Sequence, residues 1–314
     1  MPSEKESSYN PKQTGPWLVC KTCGTQFPTD DKHKVTTCLI CDDPRQYVPP
    51  SGQSFVSLDT LRADGHRNFF SPIAADPERF IQIHTQPKVG IGQRAILVRT
   101  PEGNVLWDCV TLLDDETITK LKELGGLKAI VISHPHYYST HLEWARAFDC
   151  PVYLAAEDKE WLTQHDVTRQ VFITETETQV FGTTVLKLGG HFPGSFVMLF
   201  ADRLLIADTF LATPSGLGNW DEDAVGAARE RPAGMSSFAF MWSIPNMIPL
   251  APDALEHMWT ILKNYESSST HGAFPGMDIV KTPKEMKRRV LESMQIQIRF
   301  SGHGGHTLLN ETID

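Results

Sequence analysis

From about Phe80 onward the chain is written as short apolar runs separated by polar turns. "RFIQIHTQ" and "RAILVRTPEGNVLWDCV" are rich in β-branched and apolar residues, and the second run breaks at "TPEGN", which predicts a hairpin. "DDETITKLKELGG" predicts a helix, with an aspartate cap, Ile118, Leu121 and Leu124 on one face, and Gly125 as its stop. "LKAIVIS" is continuously apolar and predicts a strand buried on both faces. A helix "HLEWARAF", a strand "PVYLA" and a helix "AEDKEWLTQH" follow, and then short strands "QVFIT", "TQVFG", "TVLKLGG" and "FVMLFADRLLIAD". Helical patterns around Pro252 to Asn264 and Pro283 to Phe300 close the chain. Strands running into helices, then more strands and more helices, fit two sheets packed face to face with helices outside. A single doubly wound parallel sheet fits less well, because several strands are joined by hairpin-length turns.

Composition narrows the picture without changing it. At 314 residues and 40% hydrophobic content, the chain can bury one large domain, or one domain with a small appendage. The longest apolar runs are far shorter than the roughly 20 residues needed to cross a bilayer, and "MPSEKESSYNPKQTGPW" is polar rather than signal-like. The expectation is a cytoplasmic protein with a disordered start over residues 1–16 and no membrane contact, a nuclear location being left open. A net charge of −9 gives no footprint for a phosphate backbone. Between residues 17 and 49, Lys21, Lys32, Lys34 and Arg45 are matched by Asp30, Asp31, Asp42 and Asp43, so this segment argues against nucleic acid as well.

That segment, 17–49, carries Cys20, Cys23, Cys38 and Cys41, two C-x2-C turns separated by 14 residues. Each turn aims two thiolates at one point, and together they complete the closed tetrahedral shell of a structural Zn²⁺. Two disulfides would suit a secreted chain, which the N-terminus does not suggest. A closed site folds a segment too short for its own core, so the ribbon is scaffold rather than catalyst. Its other expected use is as a docking module for a protein partner. Residues 50–78, rich in Pro, Gly and Ser, read as a connector, with Phe55 to Leu58 a short edge strand. "SGHGGH" reads as a flexible tail, and "FMWSIPNMIPL" as core, with part of it a candidate pocket wall.

The polar residues that punctuate the apolar runs carry the chemistry. Asp108 follows "NVLW", His134 and His136 follow "AIVIS", His191 follows "LKLGG" and Asp208 follows "LLIA". Strand ends over a rigid sheet are where sites are usually built, and two histidines at i and i+2 can aim both imidazoles at one metal. In their order, "NVLWDC", "AIVISHPH", "LGGHFPGS" and "LLIADTF" resemble the metallo-β-lactamase superfamily over roughly residues 80 to 275. The resemblance implies an α+β fold, a four-layer αββα sandwich over residues 79–314, with a metal site at one edge between the sheets. By the same resemblance His134, His136 and His191 are ligands of the first metal, and Asp208 matches a carboxylate that bridges two metals in binuclear members. His271, in "STHGAFPG", lies where the family places its last histidine, and Asp108 matches an aspartate that orients a ligand imidazole.

The departure lies in "SHPHYYSTH". Counting from His136, the family's second-metal aspartate falls on Tyr138 and its neighbouring histidine on Ser139, and neither is a usual ligand for Zn²⁺ or Mn²⁺. The leading reading is a site with one zinc or other divalent metal held by His134, His136, His191 and Asp208, its bound water made acidic. Tyr138 would then stand in for the missing aspartate, donating to the developing oxyanion or to the water. A second reading has His141 swing back to rebuild the lost position, and a third has a degenerate site that only binds. The function expected is hydrolysis of a small ester, thioester, lactone or amide. The alternative is a metal-binding or interaction protein that uses the ribbon to hold its partner.

Overall fold

The computed structural model describes residues 9–313. Two sheets make up its body. The first has seven strands in the order Arg67–Pro72, Phe80–Gln86, Arg94–Thr100, Gly103–Trp107, Ala129–Val131, Val152–Ala155 and Gln170–Ile173. Its first three pairings are antiparallel and its last three parallel. Parallel neighbours need a crossover, which the helices Asp115–Glu123 and His141–Phe148 supply for the first two pairs and the segment with the turn Ala156–Trp161 for the third. The second sheet has six strands, Glu177–Val180, Thr183–Lys187, Phe196–Phe200, Arg203–Leu205, Ser269–His271 and Asp278–Val280. It is antiparallel except where Arg203–Leu205 meets Ser269–His271.

Three apolar layers hold these parts together. Between the sheets lie Phe80, Val98, Trp107 and Val131 from one and Val185, Phe196, Met198 and Leu205 from the other. Outside the first sheet, Ile130, Ile132 and Val152 pack with Leu121, Trp144 and Ala145 of the helices. Outside the second, Leu186, Val197 and Leu204 pack with Met258 and Trp259 of helix Pro252–Leu262 and with Val290 and Met294 of helix Pro283–Phe300. The architecture is therefore the αββα sandwich, and the strand at "LKAIVIS" is buried on both faces, as its composition requires.

Several boundaries differ from the sequence-based expectation. Residues 1–8 of the expected disordered start lie outside the described residues, but Pro11–Thr14 form a helical turn, and buried Thr14 donates to Glu143 Oε2 at 2.6 Å. The connector contains the helix Leu58–Ala63 and the edge strand Arg67–Pro72, so the sandwich begins well before residue 79. "AEDKEWLTQH" forms only a tight 3₁₀ turn, Ala156–Trp161, broken by the backbone of Asp158. The final histidine-rich stretch leads into a docked turn, Thr307–Asn310, whose Leu308 enters the outer core.

The four cysteines form a separate small cluster. Cys20 and Cys41 bring their sulfurs to 3.6 Å, as do Cys23 and Cys38, and all four are buried with Leu18, Phe27 and Ile40. The strand Leu18–Cys20 pairs with Phe55–Ser57. Trp161 of the sandwich also packs against this cluster, so the module is seated on the larger domain. Among the described residues no helix is long and apolar enough to cross a membrane.

Candidate metal centre

The chain assembles its ligands at the ends of strands. Beyond Ala129–Val131 the backbone is extended at His134 and then enters a 3₁₀ turn, Pro135–Tyr137, started by a proline whose φ suits it. This change of conformation points His134 and His136 at one place. His191 comes from the loop after Thr183–Lys187, where Gly189 and Gly190 have φ of 67° and 89°. A Cβ on Gly190 would lie 2.5 Å from Thr209 Oγ1, so the loop admits no side chain there. That hydroxyl donates to the Gly189 carbonyl at 2.6 Å and accepts from the His191 amide at 3.2 Å. Thr209 thus ties the His191 loop to Asp208, its neighbour in sequence.

Four ligand atoms converge, within 4.8 Å of one another, from His134, His136, His191 and Asp208. Asp208 Oδ2 stands 3.4 Å from His134 Nε2, 3.5 Å from His136 Nδ1 and 3.8 Å from His191 Nε2. His191 Nε2 and His136 Nδ1 are 3.1 Å apart. The remaining ring nitrogens show how two of these orientations are fixed. Ser133 Oγ lies 2.9 Å from His134 Nδ1 and donates to Asp108 Oδ2 at 3.1 Å, so Asp108 acts on the imidazole through a serine. The Met241 carbonyl, 3.2 Å from His191 Nδ1, turns the other nitrogen of that ring inward. Partners of this kind set tautomer and ring plane.

This donor set fits a divalent metal. Three imidazoles and one carboxylate suit Zn²⁺ and its neighbours, and buried His134 Nε2 has no hydrogen-bond partner of its own. Burial lowers the His136 pKa to about 4 and pulls that of His191 well below the usual value. For Asp208 burial works the other way, but the surrounding imidazoles hold its carboxyl well below the ordinary range. Burial thus favours the neutral, ligating form of His136 and His191. Burial also raises Asp108, to about 8, against the hydrogen bonds from Ser133.

The other expected site residues lie elsewhere. Tyr138 turns its hydroxyl away, to the Asp158 carbonyl at 3.2 Å, while Tyr137 donates to Asp208 Oδ1 at 2.7 Å. The reason is the 3₁₀ turn, in which residues three apart share a face. The ring of Tyr137 therefore sits 4.5 Å from that of His134, and Tyr138 falls on the other side, near His141. His141 does not swing back. Its Nδ1 lies 2.7 Å from the Tyr138 carbonyl and its Nε2 2.9 Å from Gln170 Nε2. His271 is registered opposite Leu205, which faces the layer between the sheets. There it stacks 6.1 Å from Phe80, with Nδ1 2.7 Å from Asp278 Oδ1 and Nε2 2.8 Å from Ser269 Oγ. Its ring nitrogens are occupied away from the cluster. The sequence reading missed Tyr137, Ser133 and Thr209, and only the three-residue spacing from His134, across Pro135, offered a signal for the first.

Residues 90–245 match the family described as the metallo-beta-lactamase superfamily, and the chain belongs to it. It is 36% identical over 265 residues to the uncharacterized protein YmaE of Bacillus subtilis (strain 168), a match spanning 82% of this chain and 89% of that one. Among solved structures it resembles the metallo-beta-lactamase FIM-1 from Pseudomonas aeruginosa in its mono-zinc form, at 14% identity and a TM-score of 0.44, covering 73% of this chain and 95% of that one. It also resembles TTHA1623 in a di-iron-bound form, at 20% identity and a TM-score of 0.40, covering 60% of this chain and 90% of that one.

Proposed function

We propose that this protein is a metal-dependent hydrolase of a small ester, thioester, lactone or amide, with one divalent metal, zinc or a chemically similar ion, in the sandwich. The supporting observation is the convergence of His134, His136, His191 and Asp208 without a second ligand set beside them among the described residues. A metal bound there supplies Lewis acidity and lowers the pKa of coordinated water. The chain's own residues do the rest. Asp108 through Ser133, and the Met241 carbonyl, orient two imidazoles. Tyr137 fixes one carboxylate oxygen of Asp208, leaving the other turned to the histidines. Tyr138, with its hydroxyl committed to a backbone carbonyl, serves packing in this reading, and Tyr137 takes the place of the tyrosine that matters at the site.

The four cysteines are assigned a structural zinc, by the closed thiolate set they form. Elemental analysis of the full chain should therefore find two metals, and His136→Ala should find one. A panel of ester, thioester, lactone and amide substrates should show turnover that is lost in that variant and on chelation. A fully loaded sandwich with no turnover on any substrate of the panel would overturn the hydrolase reading.

A further inference from the structure

The metal ligands are almost sealed from solvent. Asp208 is 7% exposed and His134, His136 and His191 are 2% or less. What lies over them comes in part from the cysteine module. Two residues beyond Cys41, the segment Asp43–Pro44–Arg45 leaves the knuckle and enters the sandwich. The Arg45 guanidinium carbon sits 3.8 Å from the centre of the Phe192 ring, with Trp161 at 5.1 Å and Trp242 at 5.9 Å. Its Nη1 donates to the carbonyl of the ligand residue His191 at 3.2 Å. Its other nitrogens grip Asp43 at 2.7 and 2.9 Å, a two-pronged pair with 12% and 8% of the side chains exposed. The Pro44 carbonyl accepts from Ser243 Oγ at 2.8 Å and from Asn246 Nδ2 at 2.7 Å. The sequence between the last cysteine and the connector is thus clamped on both sides, by the His191 loop and by the segment that follows Met241.

A second seam runs along the stretch that departs from the family pattern. The Ser139 carbonyl accepts from the Gln26 amide at 3.1 Å, and Ser139 Oγ donates to the Gly24 carbonyl at 3.3 Å. Gly24 has φ of 83°, and a Cβ there would lie 2.0 Å from Thr111 Oγ1. Position 139, which the family resemblance gives to a second-metal ligand, is spent here on holding the cysteine module against the sandwich.

We infer that the cysteine module is the cover of the metal centre: Arg45 is a positioning residue that clamps the His191 loop, and the Asp43–Arg45 tip decides what reaches the ligands. The inference rests on the metal-site reading but not on hydrolysis. A free ribbon could carry a partner, but a ribbon whose tip packs on the Phe192 ring and the His191 loop acts on that site first. Because the tip is tethered at Cys41, metal in the thiolate knuckle fixes the cover, and the two metal positions are coupled through five residues of chain.

The test uses full-length protein loaded with cobalt(II), whose thiolate charge-transfer bands report the cysteine site and whose weaker visible bands report the histidine site. Dipicolinate is added, and the two decays are followed separately. Arg45→Ala should release the histidine-site cobalt about 10-fold faster than the parent, the size of effect expected for a partner just outside the ligands. Arg45→Lys, which keeps a cation over Phe192 but loses the two-pronged pair, should fall between them. Ser243→Ala/Asn246→Ala frees the tip without touching Arg45 and should also accelerate release, which keeps the test decisive if Arg45→Ala fails to fold. In protein with the cysteine site loaded and the histidine site emptied, carbethoxylation of His136 and His191, read by peptide mass spectrometry, should rise in the same variants. Unchanged release and unchanged modification in variants with intact thiolate bands would overturn the inference. Absence of turnover with altered release rates would instead count against hydrolysis and leave the cover standing.

Discussion

At the scale of single residues, two adjacent tyrosines have opposite fates because the backbone between His134 and Tyr138 is a 3₁₀ turn. Tyr137 is fully buried with its hydroxyl on Asp208, and burial together with that carboxylate raises its pKa well above the ordinary value, so it acts as a donor throughout the usual pH range. Tyr137→Phe leaves Asp208 Oδ1 without this donor, and metal affinity at the histidine site should fall by about 10-fold or more in a chelator competition. Tyr138→Phe removes one bond to a backbone carbonyl, costs about 1 kcal/mol of stability, and should leave that affinity where it was. If the two variants ranked the other way, the assignment of Tyr137 to the site would fail. The candidate ligands were legible in the sequence because a histidine or aspartate at a strand end is a local feature, and their order carried the family resemblance. Which tyrosine faced them was not, since it depends on a turn of three residues rather than on the count from His136.

At the scale of elements, the loop "GGHFPGS" shows how closely a glycine pattern can follow packing. Gly194 packs against the turn Ala156–Trp161, and a Cβ there would lie 2.1 Å from that of Ala155 and 2.8 Å from Asp158 Oδ2. Its amide donates to Asp158 Oδ1 at 3.1 Å, one reason a buried aspartate is tolerated, though burial still raises that carboxyl to about 7. Gly194→Ala should therefore cost about 1 to 3 kcal/mol through overpacking, measured by denaturant unfolding, and should weaken metal binding by moving His191. Equal midpoints for variant and parent would show that the turn can yield. The predicted helix "AEDKEWLTQH" was shortened for the same reason. Its sequence has helical propensity, but Asp158 must leave helical geometry to meet Gly194 and Tyr138, and such tertiary contacts override propensity.

At the scale of the whole molecule, the two sheets are joined by an ion pair, buried at its arginine and partly exposed at its aspartate, as well as by their apolar layer. Arg94, on the first sheet, has no exposed side-chain surface and reaches Asp278 of the second at 2.6 Å, Gln82 Oε1 at 2.8 Å and the Gly272 carbonyl at 2.9 Å. Burial opposes ionisation of Asp278, yet His271 and Arg94 hold its carboxyl down to about 2. Arg94→Met removes the cation that three acceptors share and should destabilise the chain by about 3 kcal/mol, seen as a lower denaturant midpoint. The metal count in the folded variant should be unchanged, because His271 and Asp278 lie outside the ligand cluster. A midpoint equal to the parent's would mean that the pair adds nothing between the sheets.

The sequence by itself determined the two-sheet sandwich, the four-cysteine knuckle and, through the family resemblance, the four residues of the candidate metal cluster. Each has a local signal: the period of apolar residues, C-x2-C spacing, and polar residues at the ends of strands in the order that carries the resemblance. Only the tertiary structure decided that His271 belongs to an inter-sheet network, that His141 is held by Gln170, and that Arg45 lies over the Phe192 ring beside the metal centre. Those outcomes depend on contacts between residues 29 to 147 positions apart, such as Gln170 with His141 and Arg45 with Phe192 and the His191 carbonyl, or on strand register, which sets the face a side chain occupies. No local pattern encodes the distance between two segments, and the closed candidate cluster is made by that distance.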